Sequence, residues 1–403
     1  LTNTPGPARQ ISATAGTPQS TQISTAFPTR FQVTVRDTFG NPLSGVVVRF
    51  TRPASGPSGT FLGDVDSAVT NSSGVATAEA FVANIIAGTY NVTATVSGVV
   101  TPAIFVLTNT PGPPSQIVAT AGNQQTAQVG TAFATNLKAT VKDGANNPVP
   151  GVLVRFTPPA LTSASGTFAG GIDTVRTDLN GVATAPTFTA NLIAGSYNVN
   201  ATFSGVLTPA VFAMTNRSGP PGSIVATAGT PQSATVNTGF GVNLQVIVRD
   251  GSGNPVNNAI VTFTAPSSGA SGTFGGSRTA TVPTNSSGIA IAPAFTADTL
   301  AGSYQVTASA LGVLTPAVFS LTNTHGLASR IVATAGTPQS ALVGTTFTTN
   351  FKVRVADVFN NPIRGNLVTF TPPASGASGT FSGNVNTTTT DSTGVATAVA
   401  FTA

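Results

Sequence analysis

The chain repeats itself, and this restricts its fold more than any other feature. Ala13-Thr14-Ala15-Gly16 returns at 119–122, 226–229 and 333–336, at intervals of 106, 107 and 107 residues. Ser58-Gly59-Thr60-Phe61 returns at 165–168, 271–274 and 378–381. The run Thr70-Asn71-Ser72-Ser73-Gly74-Val75-Ala76 has counterparts at 177–183, 284–290 and 390–396, with small substitutions. Solenoid repeats have periods of roughly 20–50 residues. A period near 107 fits one compact domain, so the 403 residues read as a string of similar domains.

The joints can be placed. Repeats close on a Leu-Thr-Asn-Thr tag or a variant of it at 107–110, 214–217 and 321–324, and the same tag opens the chain at 1–4. Short Pro/Gly segments follow, such as Pro111-Gly112-Pro113-Pro114. The expected organisation is the end of a preceding repeat's last strand at 1–4, then repeats at 5–110, 111–217, 218–324 and 325–403. The fourth repeat lacks the counterpart of 298–324, which holds its last two strands. These ragged edges predict a natural polypeptide that continues past both termini with more copies of the repeat.

Within a repeat the pattern is all β. Phe31-Gln32-Val33-Thr34-Val35-Arg36 alternates apolar and polar residues, as does 90–96, the mark of a half-buried strand. Residues 46–50 read as a more continuous apolar strand. Thr and Val abound, Glu79 is the only glutamate, and turn residues recur between short strands, which together indicate a sandwich.

Composition excludes several functions. Charged residues make up 7% of the chain, against roughly 25% in an average soluble protein. The net charge of +5 reflects scarce acids, and the three lysines and thirteen arginines are scattered, so no nucleic-acid partner is expected. No run approaches the ~18 apolar residues of a membrane-spanning helix. There is no cysteine, hence no disulfide, thiol nucleophile or cysteine-bound zinc.

The remaining chemistry-bearing residues read as structural. Asp37, Asp143, Asp250 and Asp357 each open a turn, as in Asp37-Thr38-Phe39-Gly40-Asn41-Pro42. An aspartate there caps the turn with its carboxylate. Calcium would need about six or more oxygens, usually from several carboxylates, and each turn offers one. Tyr90, Tyr197 and Tyr304 are the only tyrosines, one at the start of the penultimate strand of each complete repeat. That place suits a tyrosine corner, with the hydroxyl bonded to backbone across a loop. His325, the only histidine, sits in a joint, and Asp64 and Asp66 read as solvated loop charge. No catalytic set or phosphate loop forms, and no cofactor is expected. The joints show no acid for calcium clamps. Lys–Asn isopeptide bonds cannot be general, because the first and third repeats have no lysine.

Three ordered motifs carry a family resemblance: 40–50 (Gly-Asn-Pro-Leu-Ser-Gly-Val-Val-Val-Arg-Phe), 177–184 and 87–94. They resemble the bacterial immunoglobulin-like domain, group 1, of the intimin and invasin adhesins. The resemblance covers essentially the whole chain. It implies an all-β tandem array of immunoglobulin-like, seven-strand-type sandwiches and a bacterial surface or extracellular location. The expected function is structural and not enzymatic: a rod well over ~100 Å long within a surface fibre. Its partners would be copies of itself, packed laterally or end to end, since low charge gives little repulsion. The runner-up is the stalk of an adhesin whose host ligand binds elsewhere on the full chain. A carbohydrate- or host-binding module would want exposed loop aromatics, for which Phe39 and Phe359 are the candidates.

Overall fold

The computed structural model describes residues 3–403. Among them there is no α-helix, and strands are joined by turns and three short 3-10 segments. This is what a chain rich in β-branched residues and poor in strong helix formers is built to do. It forms two compact units, one ending at Arg217 and the other beginning at Ser218. The strand end expected at 1–4 falls partly outside the described residues, and Asn3 and Thr4 belong to no strand.

In the first unit the first repeat contributes ten strands: β1 (Gln10–Ala15), β2 (Gln19–Gln22), β3 (Gln32–Arg36), β4 (Val47–Thr51), β5 (Gly59–Phe61), β6 (Ser67–Val69), β7 (Val75–Thr77), β8 (Phe81–Ala83), β9 (Gly88–Thr95) and β10 (Ala103–Thr110). They make a three-stranded sheet β1-β3-β7, a five-stranded sheet β2-β10-β9-β4-β6 and a small pair β5-β8. Alternation sends Phe105 and Leu107 of β10 inward while Ile104 and Val106 stay exposed. The inward faces meet in one core, where Ile11, Val33 and Val35 of one sheet join Val48, Phe50, Val92, Phe105 and Leu107 of the other. Phenylalanine rings interlock there, Phe31 and Phe105 with centroids 4.7 Å apart.

The run 46–50 alternates rather than staying apolar throughout: Val48 and Phe50 are buried and Val47 is 60% exposed. Ten strands stand against the seven the resemblance implies; β5 and β8 form a small sheet of their own, and a turn separates β1 from β2. Gly16 sits at φ +88°, and a Cβ there would come within 2.9 Å of the Arg30 carbonyl, so only glycine fits. The chain breaks at this point and changes sheets. β1 runs antiparallel to β3, whereas β2 runs parallel to β10. Thr17 Oγ1 bridges the gap by accepting from the Val106 N–H at 2.9 Å.

The second repeat, also in the first unit, has the same three sheets, with Gly195–Thr202 and Ala210–Arg217 in the places of β9 and β10. In the second unit the third repeat again repeats them, with Gly302–Ala310 and Ala317–Thr324 as that hairpin. The fourth repeat keeps the three-stranded sheet of Arg330–Ala335, Lys352–Ala356 and Val395–Thr397. Its other large sheet comes down to Leu367–Thr369 paired with Thr387–Thr389. Its core divides into two small clusters, one around Val355, Ile363 and Val368 and one around Phe381 and Phe401.

Candidate functional site

Two polar constellations recur in register, and both use side chains the sequence analysis singled out. The first lies under the β9–β10 hairpin. Tyr90 pairs with Leu107 across the ladder, which places its ring two residues from Asn109. The hydroxyl donates to Asn109 Oδ1 at 3.0 Å. Asn109 is buried, and its Nδ2 donates to the carbonyls of Ser58 (2.9 Å) and Ile86 (3.1 Å) and to Asn84 Oδ1 (3.0 Å). One amide thus ties β10 to the loops before β5 and after β8. Tyr197–Asn216 and Tyr304–Asn323 repeat the arrangement at 3.0 and 2.9 Å. Burial pushes all three phenols well above their ordinary range.

The hydroxyl partner is therefore an asparagine side chain on the adjacent strand, not backbone across a loop as a tyrosine corner would have it. The sequence analysis missed Asn109, Asn216 and Asn323. The available signal was the tag itself, in which asparagine keeps its place while Leu107 gives way to Met214 and Thr110 to Arg217.

The second constellation is the turn between β3 and β4. Asp143 Oδ1 accepts from the Ala145 and Asn147 N–H groups at 2.9 and 2.8 Å, the pattern of an Asx turn. Its Oδ2 accepts from Asn147 Nδ2 at 2.9 Å and from the Gly112 N–H, 31 residues back in the joint, at 2.8 Å. Asp37, Asp250 and Asp357 hold Gly6, Gly219 and Gly326 in the same way at 2.8–3.0 Å. Each joint thus holds a carboxylate that local sequence does not show, which corrects the expectation of acid-free joints. A carboxylate has about four acceptor sites, and here four N–H donors occupy them. Among the described residues no three Asp, Glu, His or Cys side chains gather as a metal set.

Electrostatics follow from these bonds. Asn41 is the main cause that holds the Asp37 carboxyl down at about 2, with Gly6, Phe39 and the Asn41 backbone helping against a desolvation cost. At Asp143 desolvation is the largest influence and opposes the charge. The hydrogen bonds from Asn147, Gly112 and Ala145 together outweigh it, and the carboxyl stays below its ordinary value. Asp250 and Asp357 behave alike.

No family model matches the chain. A curated relative does: the inverse autotransporter adhesin YeeJ of Escherichia coli K12 is 29% identical over 385 residues, or 91% of this chain. That similarity supports reading the repeats as bacterial immunoglobulin-like domains of the intimin/invasin type. Their place is the bacterial cell surface. The chain spans about 15% of the length of that relative. Solved structures similar to it include the Escherichia coli adhesin FdeC, with a TM-score of 0.45 and 19% identity over 79% of this chain and 99% of that one. Invasin, a bacterial integrin-binding protein, matches with a TM-score of 0.42 and 17% identity over 97% and 74% of the two chains. Yersinia pseudotuberculosis InvD does so with 0.47 and 16% over 79% and 98%.

The other candidate residues add no side chain to either constellation. Phe39 is 87% exposed and Phe359 40%, each at the tip of its own Asp turn, where the second and third repeats carry Ala145 and Ser252. His325 is exposed, with Nδ1 2.9 Å from the Gly326 carbonyl oxygen. Asp66 makes an exposed ion pair with Arg49 at 3.3 Å, and Asp173 does the same with Arg155 at 2.8 Å. Pairs this exposed contribute about 0–1 kcal/mol.

Proposed function

We propose that this chain is a structural spacer within an adhesin-type surface protein, a stalk that sets a binding region at a distance. The observation that carries this reading is the use made of the recurring buried polar side chains. Tyr90 with Asn109, and Asp143 with Asn147, spend their hydrogen bonds inside the repeats and at the joints between them. The similarity to an adhesin over 91% of this chain supports the stalk ahead of the fibre. The fibre keeps one observation in its favour, the 7% charge, which leaves little repulsion between chains. Host ligands would then be bound elsewhere on the polypeptide, and self-packing would not be needed.

In this reading 5–110, 111–217, 218–324 and 325–403 are the domains, and the three tyrosines and the aspartates 37, 143, 250 and 357 serve structure rather than binding. Catalysis has no part in it. Immunogold electron microscopy of cells displaying the native protein tests the proposal. Single thin projections labelled along their length support a stalk. Ordered lateral bundles would overturn it in favour of the fibre.

A further inference from the structure

The Asp turn does more than close on itself. In the first unit Asn147, held by Asp143, reaches back into the preceding repeat. Its Nδ2 donates to the Ile85 carbonyl at 2.8 Å, and its Oδ1 accepts from the Ala87 N–H at 2.9 Å. In the second unit Asn361 does the same to the Thr299 carbonyl and the Ala301 N–H, at 2.9 and 2.8 Å. The contacted segment is the loop that leads into the β9 position. Both asparagines are buried, whereas Asn41, in the same turn of the first repeat, is exposed. Asn41 still makes the inner bonds to Asp37, at 2.9 Å each.

We infer that the Asp-x-x-x-Asn turn is an inter-repeat clamp, a docking site for the backbone of the loop before the penultimate strand of the repeat in front. The aspartate is the positioning residue. It fixes the amide so that one donor and the carbonyl point backward together. The amide engages a C=O and an N–H two residues apart, and its second N–H stays on the Asp143 carboxylate, three bonds that a single hydroxyl with its one hydrogen cannot all make. Because only backbone is read, the side chains of the contacted loop are free to differ. They do: Ile85-Ile86 in one joint is Thr299-Leu300 in the other. The clamp therefore accepts any repeat of this kind as its neighbour, whatever its order in the chain. This holds for stalk and fibre alike, so its failure would leave the proposed function standing.

The test uses the whole chain, which has no cysteine, so introduced cysteines report alone. Spin labels at Thr51→Cys and Thr157→Cys, both exposed positions, give the distance distribution across the first joint by pulsed electron resonance. Relative motion is the default for neighbouring domains with small contacts, so Asn147→Ala is expected to broaden that distribution about two-fold. Asn41→Ala, which breaks the same inner bonds without the backward pair, leaves it unchanged. If Asn147→Ala costs the second repeat its fold, Asn147→Ser with the same two labels, which shortens the side chain but keeps it polar, puts the question to the same joint. Unchanged width in the folded clamp variant, or equal broadening by Asn41→Ala, overturns the clamp.

Discussion

Asn216 has its amide hydrogens placed on Ser165, Ile193 and Asn191, which leaves Oδ1 to the Tyr197 hydroxyl. Tyr197→Phe removes a donor from a buried acceptor and adds no volume. The expected loss is about 0.5–1.5 kcal/mol, the usual net worth of one hydrogen bond, measured by urea unfolding of the second repeat. No loss of stability would mean that the hydroxyl does not serve the fold. The aspartate turns make a prediction about acid. Asp37 titrates near 2 when folded and at its ordinary 3.8 when unfolded. The unfolded chain therefore takes up its proton first as pH falls. The contribution of Asp37 is fully present above about pH 4 and is lost as pH falls through 2. Asp37→Asn should flatten the dependence of stability on pH between those values. An unchanged slope would count against the assigned bonds.

At the scale of elements, the short β5–β8 pair shows how a glycine fixes a strand. A Cβ on Gly166 would meet the Thr189 carbonyl oxygen at 2.4 Å and the Phe188 ring at 2.7 Å. Neither can move far, since one is ladder backbone and the other is a fully buried ring. Gly166→Ala is expected to destabilise the second repeat by about 1–3 kcal/mol, the range for overpacked cores, read as a lower melting temperature. The Ser-Gly-Thr-Phe motif was legible as a repeat, but this reason for its glycine was not, because it depends on a strand more than twenty residues away. The same divide runs through the site. Alternation showed the strands at 31–36 and 90–96, and spacing showed the tyrosines and aspartates. The partners of Tyr90 and Asp143, Asn109 and Gly112, lie 19 and 31 residues off, and only the sheet register brings them together. The switch of β2 into the other sheet was equally hidden, since local alternation does not say which sheet a strand joins.

For the whole molecule, completeness of the sandwich decides which pieces stand alone. Residues 111–217 contain all three sheets of the second repeat and a single core of their own. Expressed alone, that segment is expected to melt cooperatively by circular dichroism with dispersed amide resonances in NMR. Residues 325–403 should stay unfolded under the same conditions. In that repeat Phe347 and Phe351 are only half-buried, while their counterparts Phe27 and Phe31 are buried. The four or five large side chains that the hairpin adds in other repeats represent roughly 6–12 kcal/mol at ~1.5–3 each. That is comparable to a domain's whole stability of about 5–15 kcal/mol. The intact chain should also melt at the same temperature with and without EDTA, because donors within the chain already fill the acceptor sites of the turn carboxylates. A drop of many degrees would reveal a structural metal.

Every asparagine that follows an Asp turn is itself followed by proline: Asn41-Pro42, Asn147-Pro148, Asn254-Pro255 and Asn361-Pro362. The proline ends the turn and begins the next bridge, to Arg36, Lys142, Arg249 and Ala356 respectively. It also bears on chemical ageing. Asparagine deamidates when the next residue's backbone nitrogen attacks the side-chain amide and closes a five-membered imide. Proline has no N–H to give up in that step. An asparagine before glycine, as at Asn180-Gly181, has the least hindered nitrogen of all. The turn amides are thus shielded from the slow hydrolysis that would replace a donor with a negative charge beside the aspartate. A protein left outside the cell, where it cannot be renewed in place, keeps these amides for as long as the chain itself lasts.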